Sequence, residues 1–362
     1  MNIKKFLVPV IGAFTILSFS GCTLPFVSDS SVSDENGISY QAYEYKASSQ
    51  EEVINYITQA VSKNENTCYI FVTDESLIDA NTWLLYVNGI EQIQVEYRRV
   101  KDGFNMKVTF DCWDNYAIMH AYNTKDTSVL NERQLTLYNK YISVLNEVTS
   151  PYNSDVENEL AIHDYLVSNI TYVEKEDSIF NAYDALINGE AVCSGYAECF
   201  KTFMDMLGIE NDTISGNAGN QQHIWNVVKL DGVWYQVDVT WDDPVGSTSK
   251  YVDHSYFNIT GADMALDHTW DRDKFSAFES NSSSYPYSYA SIAKLANVNS
   301  QGELNKLIKN TISSRKERIE FISSSSDIDI KKAITAAGTQ LSYSYKNTPR
   351  TAYTLYSVTF TY

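Results

Sequence analysis

Gln222-His223-Ile224-Trp225-Asn226-Val227-Val228-Lys229-Leu230-Asp231-Gly232-Val233-Trp234-Tyr235-Gln236-Val237-Asp238-Val239-Thr240 decides the reading of the core. Two runs rich in β-branched and aromatic residues flank Asp231-Gly232, the dipeptide of a tight type I′ hairpin. The turn sets the register: Leu230 faces Val233, Trp225 faces Asp238 and His223 faces Thr240, and alternation puts these last four side chains on one face. His223 and Asp238 are then diagonal neighbours. At a Cα separation of roughly 7–8 Å, a carboxylate there can accept a hydrogen bond from an imidazole. A surface His and Asp would carry the same pattern, so the pair needs a third member to mean chemistry.

That member stands about thirty residues upstream. Tyr196, Cys199, Phe200, Phe203, Met204 and Leu207 recur at helical spacing, and Gly208 suits a left-handed C-cap, predicting a buried helix from Cys193 to Leu207. Cys193 falls in its first turn, where unpaired N–H groups and the helix dipole stabilise a thiolate. Cys199 lies on the buried stripe and reads as an inert core residue. A cysteine, a histidine able to take its proton and a carboxylate able to orient that histidine make a nucleophilic constellation. The apolar side of the hairpin is expected to pack on the Cys193 helix.

Outside this core the sequence repeats itself. From Ser49, with Glu52 placed for a capping box, the predicted order is helix, strand Thr67–Thr73, helix Leu77–Val87, then strands Gln92–Arg98 and Phe104–Phe110. The order returns from Ser300 at a constant offset of 251, which carries Ser49 onto Ser300 and Val53, Ile57 and Val61 onto Leu304, Ile308 and Ile312. We expect two copies of a small α/β module, residues 40–125 and 288–362, flanking a central domain at 126–287 that begins with helices Glu132–Val148 and Val156–Asn169. Any two small α/β units share part of this pattern.

At the N-terminus, Lys4 and Lys5 precede an apolar run from Phe6 to Phe19 with the proportions of a signal peptide, residues 1–21. Phe19-Ser20-Gly21-Cys22 resembles a bacterial lipobox, with Phe where Leu is usual. The expectation is an exported protein anchored by lipid on Cys22 to the outer face of a bacterial membrane, with residues 22–39 as a Ser- and Asp-rich tether. Export permits disulfides. Cys68 and Cys112, both in predicted strands, are either a pair or two reduced thiols.

Composition excludes some partners. Forty-six acidic against 27 basic residues, a formal charge of -19, repel phosphate backbones and anionic headgroups, so nucleic acid is not expected and the membrane is reached only through the anchor. The 27 tyrosines, many alternating as in Tyr343-Ser344-Tyr345, belong to half-buried strands. His254 and His268 have ligand chemistry but no accompanying cluster at metal spacing, so neither metal nor cofactor is expected. His120 and His163 fall outside any constellation and read as surface or structural.

Taken together, Asn181-Ala182-Tyr183-Asp184-Ala185-Leu186, Gly189 to Ala197 around Cys193, His223-Ile224-Trp225-Asn226, Trp234 to Asp242, Tyr256-Phe257-Asn258 and Asp267-His268-Thr269-Trp270 resemble the bacterial transglutaminase-like superfamily. The resemblance covers about Glu159 to Trp270. It implies an α+β, papain-like core with Cys193, His223 and Asp238 as its triad and the cysteine at a helix start packed on an antiparallel sheet. No calcium-loop pattern of the animal enzymes accompanies it. The implied chemistry is attack of the Cys193 thiolate on an amide or ester carbonyl, with the Cys193 backbone N–H as an oxyanion donor and Trp225, Trp234 and Trp241 as candidate walls of the acyl groove. Expected substrates are peptide, protein or cell-wall amides. The alternative is a noncatalytic surface protein that binds through its tandem modules.

Overall fold

The computed structural model describes residues 43–362 other than 64, 88, 174–180, 244–250, 280–285 and 339, with backbone strands also at Lys4–Pro9, Ser31–Ser33 and Ser39–Gln41. Residues 10–19 of the apolar run, the lipobox with Cys22 and most of the tether lie outside the described residues. The fold is α+β, and its contacts divide it into two compact units: Met1–Thr149 with Asn169–Leu207, and Ser150–Ser168 with Gly208–Tyr362. Among the described residues no helix is long and apolar enough to cross a membrane.

The first unit opens with an α/β module. Strand Tyr45–Ala47 runs parallel to Thr67–Val72, which pairs antiparallel with Gly103–Cys112, itself paired with Ile90–Val100. Helix Gln50–Ser62 is started by Ser49, whose hydroxyl accepts from the Glu52 N–H, a cap contributing about 1 kcal/mol. Its residues Val53, Ile57, Ala60 and Val61 recur at helical spacing and are all buried on the sheet side, with Ile70, Trp83 and Val108 in the same core. Helix Asn115–Thr124, which no sequence cap announces, follows; Asp114 makes no side-chain cap bond, and buried Ala117, Ile118 and Ala121 hold the helix by packing. Helices Glu132–Val148 and Cys193–Leu207 meet through Tyr141 and Phe203, whose rings are 4.7 Å apart, edge to face.

Cys68 and Cys112 are both free. Cys68 stands opposite Val108, and Cys112 lies four residues further along that strand, about 13 Å away at strand rise, beyond disulfide reach. The two strands are neighbours, but the register separates the thiols.

In the second unit a four-stranded antiparallel sheet runs in the order Val233–Val237, Gln221–Leu230, Asn211–Ala218, His268–Trp270. The hairpin forms in the expected register, Leu230 opposite Val233, with Asp231 and Gly232 both at positive φ (48° and 78°) as a type I′ turn requires. It ends at Val237 rather than Thr240. From Asp238 the chain turns, the Asp242 N–H donating to the Asp238 carbonyl at 3.2 Å. Strand Asn211–Ala218, unannounced in the sequence because Gly216, Asn217 and Ser215 are poor strand formers, is the partner through which the sheet gains His268–Trp270.

The same unit contains a second α/β module with the strand order of the first: Ala296–Asn297 parallel to Arg318–Ser323, then Thr354–Thr361, then Ser342–Pro349. Helix Gln301–Ser313 and strand Arg318–Ser323 stand 251 residues after Gln50–Ser62 and Thr67–Val72. Ser300 and Glu303 complete a full capping box. The tip of its last hairpin docks on the rest of the unit. Arg350 donates to the Ser255 carbonyl and lies over the Tyr256 ring at 4.8 Å, and Thr351 donates from N and Oγ1 to Asp263 Oδ1 at 2.6 and 2.8 Å.

Candidate active site

Cys193 is the first residue of helix Cys193–Leu207 and is 3% exposed. The segment before it is bound tightly. Thr171–Tyr172 pairs in parallel with Glu190–Ala191, and Gly189 turns the chain at φ 76°. Buried Glu198 accepts the Ala182 N–H at 2.7 Å, tying the first turns of the helix to Asn181–Leu186. Gly195 is required by that approach: a Cβ there would sit 2.8 Å from Ala191 Cβ and 3.0 Å from the Asn181 carbonyl oxygen. The local sequence thus fixes where the helix starts, and with it the cysteine, at the positive end of the helix dipole, where the Val192 carbonyl accepts from the Gly195 N–H at 3.0 Å.

In the second unit, the His223 Nε2–H donates to Asp238 Oδ2 at 2.6 Å, both groups buried. The hairpin supplies this diagonal pair, and the turn after Val237 adds the Trp241 N–H as donor to Asp238 Oδ1 at 3.1 Å. The carboxylate is met by Nε2 of the ring. Trp225 stacks on His223 at 5.9 Å and 20°, and Trp241 flanks it at 6.3 Å. Trp234 is not brought there; it lies on the same face at the turn end of the hairpin, against Phe278 and Lys229.

A second imidazole joins the pair. His268 Nε2 donates to the same Asp238 oxygen at 3.1 Å, while its Nδ1 donates to Asp267 Oδ1 at 2.6 Å, and the Tyr256 hydroxyl donates to Asp267 Oδ2 at 2.6 Å. Both ring nitrogens of His268 face carboxylates; burial works against the charged form, but the hydrogen bonds to Asp238 and Asp267 raise its pKa overall. Burial alone would raise Asp238 as well, yet the charges and hydrogen bonds of His223 and His268 hold it well below the usual carboxylate range. Gly216 makes room for the group: it pairs with both His223 and Trp270, and its missing side chain lets Trp225 meet His268 at 5.0 Å and Trp270 at 5.8 Å.

The sequence reading passed over His268 in this role; of the two alternatives it left for His163, surface or structural, the structure takes the second. His163 is completely buried and bonded at both nitrogens, to Asp164 Oδ1 and to Asp242 Oδ2, each at 3.1 Å. His254 joins it through Asp164 at 2.8 Å. A signal was present: three of the five histidines stand beside an aspartate, as His163-Asp164, Asp253-His254 and Asp267-His268. His120 is exposed.

A helix-start cysteine, a buried imidazole–carboxylate pair and an α+β scaffold are the features that the transglutaminase-like resemblance implies. Residues 142–239 match the family model of the Transglutaminase-like superfamily, and the chain carries a domain of that superfamily. Kyphoscoliosis peptidase of Mus musculus is 27% identical over 137 residues, 33% of this chain and 21% of the relative; its Homo sapiens counterpart is 24% identical over 148 residues, 35% and 22% respectively. The chain thus spans about a fifth of the length of these relatives. Solved structures that overlap it include a TGase (TM-score 0.27, 13% identity, 60% of this chain and 65% of that one) and a candidate cysteine protease from Cytophaga hutchinsonii (0.27, 13%, 66% and 72%). A candidate protease from Parabacteroides distasonis overlaps at 0.28 with 10% identity, 81% of this chain and 65% of that one.

Proposed function

We propose that this protein is an exported, lipid-anchored thiol enzyme that cleaves or transfers amide bonds through a Cys193 acyl-enzyme, with His223 as base and Asp238 as the group that orients it. The observation that carries the reading is the 2.6 Å bond between buried His223 and buried Asp238, in a domain whose sequence also supplies a helix-start cysteine. Such a bond fixes the tautomer with the proton on Nε2, so Nδ1 is the atom that takes the thiol proton. The thiolate sulfur forms a bond to the substrate carbonyl carbon, and the Cys193 N–H is a donor for the oxyanion. The imidazolium returns the proton to the leaving amine as the C–N bond breaks, and a thioester remains. Water, activated by His223, then releases the acid and regenerates the thiol; an amine in its place gives transfer.

Hydrolysis of a peptide or cell-envelope amide is the favoured outcome, in keeping with the peptidase name of the curated relatives. Lipid on Cys22 would keep the enzyme at the membrane surface where such substrates lie. The test is alkylation by iodoacetamide across pH together with product analysis on cell-wall fragments and a labelled amine. Activated thiol reactivity near neutrality, lost in His223→Ala, is the expected result. Cys193 reacting no faster than a free-thiol standard, with His223→Ala without effect, would remove the basis for the proposal.

A further inference from the structure

The His163 cluster takes no part in the thiol chemistry, and its geometry points to a site of its own. We propose that His163 Nδ1, Asp164 and His254 Nε2 bind a divalent first-row transition cation, zinc above all, with Asp242 as the outer carboxylate that orients His163. This goes beyond the acyl-transfer reading and does not depend on it.

The three donor atoms lie within 4.8 Å of one another. Asp164 Oδ1 stands 3.1 Å from His163 Nδ1 and 2.8 Å from His254 Nε2. A tetrahedral ion with ligands at roughly 2.0–2.1 Å spaces its donors about 3.3 Å apart, so a shift of a few tenths of an ångström admits it. The Asp164 side chain, 41% exposed, is the member free to make that shift and to leave the ion an approach from solvent. His163 and His254 are fixed, at 0% and 8% exposure. Two imidazoles and one carboxylate with a remaining position open to water are a donor set that zinc uses.

The surroundings supply what metal-bound histidines need. A ligating imidazole keeps its place by donating its other N–H to a carboxylate. His163 Nε2 does so to Asp242 Oδ2, and Asp242, fully buried, is itself held by the Tyr256 N–H at 3.0 Å from each of its oxygens. Asp253, which precedes His254 in the chain, is paired with Lys346. The His254 ring is stacked on Tyr289 at 3.8 Å and 7°, and the Tyr289 hydroxyl is tied to Glu320 at 2.9 Å. His254 Nδ1 is buried and makes no hydrogen bond, so it is available to carry the ring proton once Nε2 binds the ion. The asymmetry of one buried wall and one solvent-facing carboxylate is unlike a closed salt-bridge network, in which each polar atom finds a protein partner.

The test uses full-length protein carrying C22S and C193S, so that neither thiol competes, freed of metal with a chelator and titrated with Co2+ and then Zn2+. Expected are one ion per chain, the visible bands of nitrogen- and oxygen-ligated cobalt, and displacement by zinc. D164N and H254Q should each lower affinity at least tenfold, with melting in chelator confirming that they fold. D242N should weaken binding roughly 10–100-fold while keeping the cobalt spectrum, as an outer carboxylate would. Failure to bind one equivalent, unchanged affinity in D164N and H254Q, or loss of the spectrum in H268Q instead would overturn the assignment.

Discussion

Glu159 offers a measurement that needs no substrate. It lies on helix Asp155–Asn169 with no exposure; one carboxyl oxygen accepts from Asn258 Nδ2 at 3.0 Å, and the other makes no hydrogen bond. Burial pushes the group up to about 8, against an ordinary 4.5, with the Asn258 bond only partly opposing it. Below pH 4.5 it is protonated folded and unfolded alike and adds no pH dependence. Between 4.5 and 8 the unfolded chain has released the proton and the folded one retains it, so stability falls by about 1.4 kcal/mol per pH unit. By pH 7 the loss is roughly 3 kcal/mol. Glu159→Gln keeps the oxygen facing Asn258 and cannot ionise. The variant should match the wild type at pH 4.5 and exceed it by roughly 3 kcal/mol at pH 7, or about 10 °C in the melting midpoint of a unit this size. Chemical denaturation of the metal-free protein at both pH values reads the difference directly, because all other titrations cancel between the two chains. A gap of the same size at pH 4.5 and pH 7 would mean that Glu159 is ionised in the fold and that its burial has been misjudged.

Asp238→Asn should slow alkylation of Cys193 at neutral pH, and turnover once a substrate is known, by roughly 10- to 150-fold, the worth of one charge-assisted hydrogen bond of about 1.5–3 kcal/mol; a change within threefold would deny Asp238 its orienting role. In protein carrying C22S, brief iodoacetamide treatment at pH 7.5 should label Cys193 ahead of the others, since burial pushes Cys68 and Cys112 up to about 12 and Cys199 well above its ordinary value; peptide mapping that finds Cys68 labelled first would contradict this. Gly216→Ala puts a Cβ 2.2 Å from the Thr269 carbonyl oxygen and should destabilise the fold by about 1–3 kcal/mol. Denaturation midpoints check it, and an unchanged midpoint would show that the strands part without cost.

The parts legible in the sequence are those set by local rules. The Asp231-Gly232 turn dictates register, and register alone brings His223 beside Asp238. Ser49 and Ser300 mark helix starts because capping is a contact across three residues. The helix from Cys193 to Leu207 follows from its apolar stripe. What escaped depends on distance along the chain. His268 reaches Asp238 only because strand Asn211–Ala218, weak in propensity, lies between them in the sheet. Asp164, next to His163 on a helix, meets His254 on a loop 90 residues further on through tertiary packing alone. The Cys68–Cys112 question failed for the related reason that strand adjacency without register does not fix a distance.

The docked tip of the second module alters what a truncation would mean. The expected boundary of the central domain falls at residue 287, which would invite a chain cut there. Such a chain would strip Asp263 of the two donors from Thr351 and uncover the Tyr256 ring beneath Arg350. Tyr256 holds Asp267, Asp267 holds His268, and His268 shares the oxygen that orients His223. The second module is thus a keystone at this end of the chain, and a crystallographer trimming the protein to its motif would remove the stone on which the motif leans.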